Sequence, residues 1–159
     1  MANIIYATVN GKKQGLISAG CSTFSSIGNK YQNGHEDQIM VLAFEHGITR
    51  DHNVSHGPIS FIKPIDKSSP LFGMAISDNE YLDIDFFFYR TASGGGLELF
   101  YSVKLIDANI IRVNVVYPHA INHSDNQPEE IITFRYKSIS WSHVIAGTSG
   151  YSIWTEMGV

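Results

Sequence analysis

One stretch of this chain limits the folds open to it: Lys63-Pro64-Ile65-Asp66-Lys67-Ser68-Ser69-Pro70-Leu71-Phe72-Gly73-Met74-Ala75-Ile76 alone has apolar residues recurring convincingly at helical spacing. Ser69 can accept a hydrogen bond from a free amide of a first helical turn, and Pro70 at the first helical position loses nothing by lacking an N–H. Leu71, Phe72, Ala75 and Ile76 fall at i, i+1, i+4 and i+5. They share one side of a helix predicted over residues 69–77, able to cover something apolar. The segments around this helix read as strands, so the thing covered is a β-barrel or its open end.

A chain of 159 residues, 43% hydrophobic and 16% charged, fits one domain over residues 1–159 with enough apolar side chain for a real core. Its formal charge of −4 offers no cationic footprint for phosphate, so neither nucleic acid nor an acidic membrane surface is an expected partner. No run approaches the roughly 18 apolar residues of a spanning helix. Met1-Ala2-Asn3-Ile4-Ile5-Tyr6 has no basic region leading into an apolar core, so no signal peptide and no membrane insertion are expected. Cys21 is the one cysteine, which excludes an internal disulfide and fits folding in a reducing cytoplasm.

Residues 3–9 alternate as a strand and stop at Asn10-Gly11, read as a tight turn before Lys12-Lys13-Gln14-Gly15. Residues 20–33 are rich in Ser, Gly and Asn and end at Asn33-Gly34, a second hairpin signal feeding a strand over residues 35–48. In that strand Met40, Leu42, Phe44 and Ile48 share one face, and Ile39, Val41 and Ala43 the other. An antiparallel strand normally wets one face, so the outer one is expected to be covered by the helix or by another subunit. Residues 49–58 show no period and read as an exposed loop before a short strand at 59–62. Leu82, Ile84, Phe86 and Phe88 then alternate strictly against Asp83, Asp85, Phe87 and Tyr89. Ser93-Gly94-Gly95-Gly96 makes a turn, and Leu97, Leu99, Tyr101, Val103 and Leu105 form an inward row, with a bend or break near Asn109 before Ile111, Val113, Val115 and Tyr117. A polar loop at 119–128 precedes strands at 129–136 and 138–144. The expected fold is mainly β: an antiparallel β-barrel of about eight or more short strands with one flanking helix.

The chemistry-bearing residues do not assemble into a site. His46, His52 and His56, with His35-Glu36-Asp37 upstream, match no metal-ligand spacing and read as surface histidines. The glycine turn at residues 94–96 leads into a strand, so no helix N-terminus is there to hold a phosphate. Gly147-Thr148-Ser149-Gly150 lacks the following helix of a nucleophile elbow. Asp83 and Asp85 are explained by strand alternation and Glu129-Glu130 by a solvated loop end, not as a hydrolase's carboxylate pair. Cys21 has no sequence neighbour to depress its pKa and reads as a small buried or half-buried thiol. Trp141, in register with Ile139, reads as wall or core. Trp154 is open, and with exposed tyrosines it supports a second reading, a monomeric carbohydrate-binding β-domain. No enzyme, no cofactor and no metal is expected.

The run from Lys63 to Leu71 resembles the signature of the haemolysin-coregulated protein family, the tube-forming component of bacterial type VI secretion systems. Ile4-Ile5-Tyr6 followed by Gly11-Lys12-Lys13-Gln14-Gly15, then His35-Glu36-Asp37-Gln38-Ile39, Phe88-Tyr89-Arg90 and Tyr136-Lys137-Ser138-Ile139-Ser140-Trp141 are similar to the family in the same order. Together they cover nearly the whole chain. The resemblance implies a barrel that closes into a homohexameric ring, with rings stacking into a hollow tube like that of a phage tail. It further implies a contracting sheath that expels the tube, a spike protein that caps it, and small effector proteins carried in its lumen. The protein would be assembled in the cytoplasm and exported to the medium or a target cell without a signal peptide.

Some relatives carry a toxin domain after the ring domain; with only Thr155 to Val159 after Trp154, none is expected here. Ring closure would cover the outer apolar face of residues 39–43, which makes Ile39 and Val41 candidate subunit contacts. Turns near Ser25, Gly47 and Gly95 and the tail near Thr155 are candidate ring-stacking contacts, because hairpin tips lie at barrel rims. Lys63, Asp66 and Lys67 at the helix start are candidates for contact with a neighbouring subunit or the tube wall. Gly73 costs the helix about 1 kcal/mol relative to alanine, and close packing against a neighbour is the expected reason for it.

Overall fold

The computed structural model describes residues 3–154. The alternating segments form ten strands: β1 (Ile4–Gly11), β2 (Gly15–Leu16), β3 (Ile39–Val41), β4 (Ala43–Arg50), β5 (Val54–Pro64), β6 (Leu82–Thr91), β7 (Leu97–Val116), β8 (Glu129–Arg135), β9 (Ser138–His143) and β10 (Thr148–Ile153). The main path is β2-β1-β6-β7-β8-β5-β4, with β3 on β1, β9 on β7 and β10 on β9. All these pairings are antiparallel. The sheet is rolled but not closed by a ladder: β3 pairs with β1 and β4 with β5, and among the described residues no ladder joins β3 to β4 or β5. The covalent chain crosses the gap at Leu42, whose N–H donates to the Ile62 carbonyl at 2.7 Å.

That crossing corrects the reading of residues 39–48. Ile39 and Val41 face the core, whereas after Leu42 the inward parity changes: Phe44 packs on the core while Leu42 and Ala43 are exposed. A period of two with one parity change makes both faces look apolar, although each half of the path buries only one. β7 makes a comparable change without breaking. Its first half lies between β6 and β9 and its second half pairs with β8, and the backbone turns at Asp107, φ 50°, close to the expected bend.

The helix forms as its pattern demands. α2 (Ser69–Asp78) buries Phe72 and Ala75, with Leu71 and Ile76 packed beside them, and Asn79 caps it in the left-handed conformation, donating to the Ala75 and Ile76 carbonyls. Phe72 meets Phe61 and Phe134 edge-on, Phe61 stacks on Phe134 at 5.5 Å, and Phe86 closes the group against Phe61. The helix is thus a plug on an aromatic core. Its first turn differs from expectation: Ser69 is itself helical and accepts from the Asp66 N–H, while Asp66 Oδ1 accepts from the Ser68 N–H and hydroxyl.

Four loop readings change. Asn10 and Gly11 belong to β1, opposite Leu16 and Gly15, so the turn is Lys12-Lys13-Gln14. This turn is organised by the Glu80 carboxylate, which accepts from the Lys13 and Gln14 amides and the Gln14 side chain, each at 2.8 Å. Burial pushes the Glu80 carboxyl up, but these donors outweigh it and hold it below its ordinary value. A Cβ on Gly11 would collide with that carboxylate. Residues 20–33 form no hairpin; they contain α1 (Phe24–Ile27) and a 3-10 turn at Gly28–Lys30, because no apolar alternation flanks Asn33-Gly34 to pair across it. Residues 49–58 are no loop but the hairpin end of β4 and β5. The segment after Val144 adds β10, turning at Gly147 with φ 75°.

Candidate assembly surfaces

Lys63 and Glu130 face each other across β5 and β8, so the strand register sets a cation beside an anion before any helix is added. Both are buried, and Lys63 Nζ donates to Glu130 Oε1 and lies 3.0 Å from Asp66 Oδ1. The Pro64 carbonyl at 3.0 Å and Ser69 Oγ at 3.2 Å also accept from it, and Ser69 in turn donates to Glu130. Asp66 Oδ2 is buried without a partner in the protomer. The helix start is therefore an internal ion cluster. Lys63 and Asp66 offer no surface to a neighbouring subunit, because the pattern that looked like an exposed charged entrance supplies its own counter-ions. Of the three candidates there, Lys67 alone is exposed, with its N–H donating to Ser26 Oγ at 2.8 Å.

The remaining contact candidates separate in the same way. Ile39 is fully buried and Val41 nearly so, which leaves Leu42, at 47% exposed, as the accessible apolar residue of that path. Ser25 is exposed, on α1 rather than a hairpin tip. Gly47 lies within β4 at a bulge between His46 and Ile48, not at a tip; its carbonyl stands where a Cβ on Gly57 would go. Gly95 does occupy an exposed turn, between β6 and β7, with φ 88°. Thr155 lies outside the described residues.

The exposed apolar side chains form groups that the sequence reading did not single out. Phe24 and Tyr31 meet edge-on and are exposed, as are Ile65 and Tyr117, which line a cleft of about 290 Å³ with Pro64 and Pro128. Tyr151 and Ile153 stand out from β10, with Val144 and Ile145 in the preceding turn, and Ile111, at a bulge, and Val115 are exposed along β7. Tyr151 is 75% exposed and Ile121, in the loop after β7, is 84% exposed. Exposed apolar side chains grouped in this way mark association surfaces more often than singly scattered ones do. The signal available was the two-sided apolar character of residues 110–117, hidden by reading every second residue as inward.

The groups considered for catalysis are accounted for structurally. Cys21 is buried and its thiol is pushed up to about 12 by burial, then by the Asp66 carboxylate, so it is no thiolate nucleophile. Burial pushes Asp83 up too, but the Asp107 amide and Lys12 outweigh it and lower its pKa; Asp85 is raised by burial. Glu130 is buried on Lys63, not in a solvated loop end. His46 and His56 are not surface residues either: both bond the Tyr136 hydroxyl, at 2.8 and 2.7 Å. Trp154 is half-buried, stacked on His56, and is no open sugar platform. No group of three or more ligating side chains suited to a metal occurs among the described residues. No helix among them is long and apolar enough to cross a membrane.

Residues 6–143 match the family model described as "Type VI secretion system effector, Hcp". The major exported protein of Pseudomonas aeruginosa is 38% identical over 167 aligned positions, covering 97% of this chain and 96% of that protein. A crystal structure of an Hcp protein superposes with a TM-score of 0.91 at 35% identity, over 96% of this chain and 98% of the other. The secreted protein Hcp3 from Pseudomonas aeruginosa does so with a TM-score of 0.88 at 38% identity, over 96% and 99%. The antiparallel fold, its plugging helix and these matches together establish that the chain belongs to the Hcp family of type VI secretion system effectors.

Proposed function

We propose that this chain is a non-catalytic ring subunit, one domain over residues 1–159, whose function is self-association. Six copies close edge to edge, and rings stack face to face into a hollow tube that carries small effector proteins, is capped by a spike and is expelled by a sheath. The observation that carries the reading is the surplus of outward apolar side chains on separate faces: Leu42 at the sheet crossing, Tyr151 and Ile153 on β10, Ile111 and Val115 on β7, and the Phe24, Tyr31, Ile65 and Tyr117 group. Edge-to-edge and face-to-face contact each need a pair of complementary surfaces, and head-to-tail stacking is heterologous, so it grows without closing. Lys67 and Ser25 remain candidates for contact with a neighbour, and the Gly95 turn and the tail at Thr155 for ring stacking. Assembly in the cytoplasm followed by export completes the reading.

Size-exclusion chromatography with light scattering tests it, with the expected result a hexamer and six-fold rings in electron micrographs. A strict monomer at high concentration overturns it. Stacking is tested by cysteines at Gly94 and Thr155 with Cys21 replaced, Gly94 being preferred to its neighbour because Gly95 holds a left-handed φ. The expected product is a ladder of crosslinked rings.

A further inference from the structure

His46 and His56 come from adjacent strands of one hairpin, on either side of the bulge at Gly47. Both reach Tyr136, which follows β8, and His56 Nε2 also lies 3.0 Å from Ser152 Oγ on β10. The Trp154 indole stacks on the His56 ring at 5.8 Å and meets Tyr136 edge-on at 5.0 Å. The backbone of β10 pairs with β9 alone. These side chains are therefore what ties that outer strand to the β4–β5 hairpin.

Hydrogen-bond geometry limits how many protons the cluster can hold. With both rings neutral, every partner is satisfied in one direction: Ser152 donates to His56 Nε2, His56 Nδ1–H donates to Tyr136, and Tyr136 donates to His46 Nε2. One added proton is also accommodated, since His56 then donates to Ser152 and to Tyr136. A second is not. Both rings would aim an N–H at one oxygen, the tyrosine O–H would have no acceptor, and two like charges would stand across a single atom.

We propose that His46, Tyr136 and His56 form an acid-operated latch that holds β10 and Trp154 on the barrel through a first proton and releases them on the second. The latch is a property of one copy and stands apart from the ring reading. Burial lowers the proton affinity of both rings, and His46 is opposed further by His56. A depressed folded-state pKa places the stabilisation above the unfolded histidine value of about 6.5, and it is lost as pH falls below that.

The charged surroundings do not reverse this. None of the ion pairs among the described residues involves either ring. Glu45, beside His46 on β4, is exposed and belongs to the opposite strand face. Arg135 and Lys137 flank Tyr136 and, with Asp107 and Tyr81, line a cleft of about 400 Å³ walled by Tyr136 and Trp154. Asp107, the acidic group of that cleft, is engaged by Lys12 at 3.7 Å.

Hydrogen exchange on the full chain tests the latch, comparing residues 148–153 with β6 at about pH 7.5 and about pH 5.5 after correction for intrinsic exchange. The expected result is that β10 loses at least about tenfold in protection relative to β6 on acidification. His46→Gln, which can still bond Tyr136 but cannot take the second proton, is expected to cut that loss to less than about threefold. Protection of β10 that tracks β6 at both pH values overturns the latch, as does an undiminished acid response in His46→Gln. If that variant does not fold, His56→Gln makes the same comparison, with the five other histidines present in each protein.

Discussion

Strand β5 carries a buried polar cluster near each end, and the two resist disruption by different means. Near its end, Lys63 stands between Glu130 and Asp66, so formal charges are held against one another out of water. Near its start, His56 shares the Tyr136 hydroxyl with His46, and burial favours neutral rings. Deleting a member of the first leaves a bare ion, whereas deleting a member of the second leaves unpaired dipoles. The comparison teaches that one clamps the helix start to the sheet at a large cost of disruption, while the other fastens β10 at a cost that depends on protons.

The largest expected effect is Lys63→Ala, which strands two buried carboxylates and costs about 3–5 kcal/mol in urea unfolding. A cost below about 1 kcal/mol would erase the contrast between the clusters. Tyr136→Phe keeps the ring but orphans two imidazole nitrogens, with an expected loss of roughly 1–3 kcal/mol. Acid separates the clusters without mutation: wild-type stability falls as pH drops through about 6.5, from burial of His46 and His56. The corresponding measurement is the melting temperature across that range, with the steep part expected to flatten in His46→Gln. Gly73→Ala is the smallest and opposite in sign, a gain of about 1 kcal/mol, as a Cβ there meets nothing within 4 Å inside the protomer. A variant that gains stability as a monomer yet no longer assembles would place Gly73 against a neighbour.

Sequence periodicity carried the frame of the fold well. Leu82 to Phe88 alternates because one face is buried, and Phe72 and Ala75 line up because a helix has one inward side. The helix start was legible as a motif but not as chemistry: Lys63 and Glu130 are far apart in the chain, and only the β5–β8 register makes them a pair. His56 was misread for the same reason, since its partners come from Tyr136 and Ser152. The strand expected over residues 35–48 differs in another way. A parity change at Leu42 leaves no mark in composition, so periodicity alone puts inward Ile39 and Val41 on the outer face. β10 went unseen because its residues 148–153 hang on an outer strand with little inward burial to impose alternation.

β7 serves both halves of the rolled sheet, pairing with β6 and β9 before Asp107 and with β8 after it. Neither half can fray independently without stripping part of this one 20-residue strand from its partners. The barrel should therefore melt as a single cooperative unit, with circular dichroism and indole fluorescence tracing the same transition. Through that shared spine, load applied to either half of the fold is borne by both.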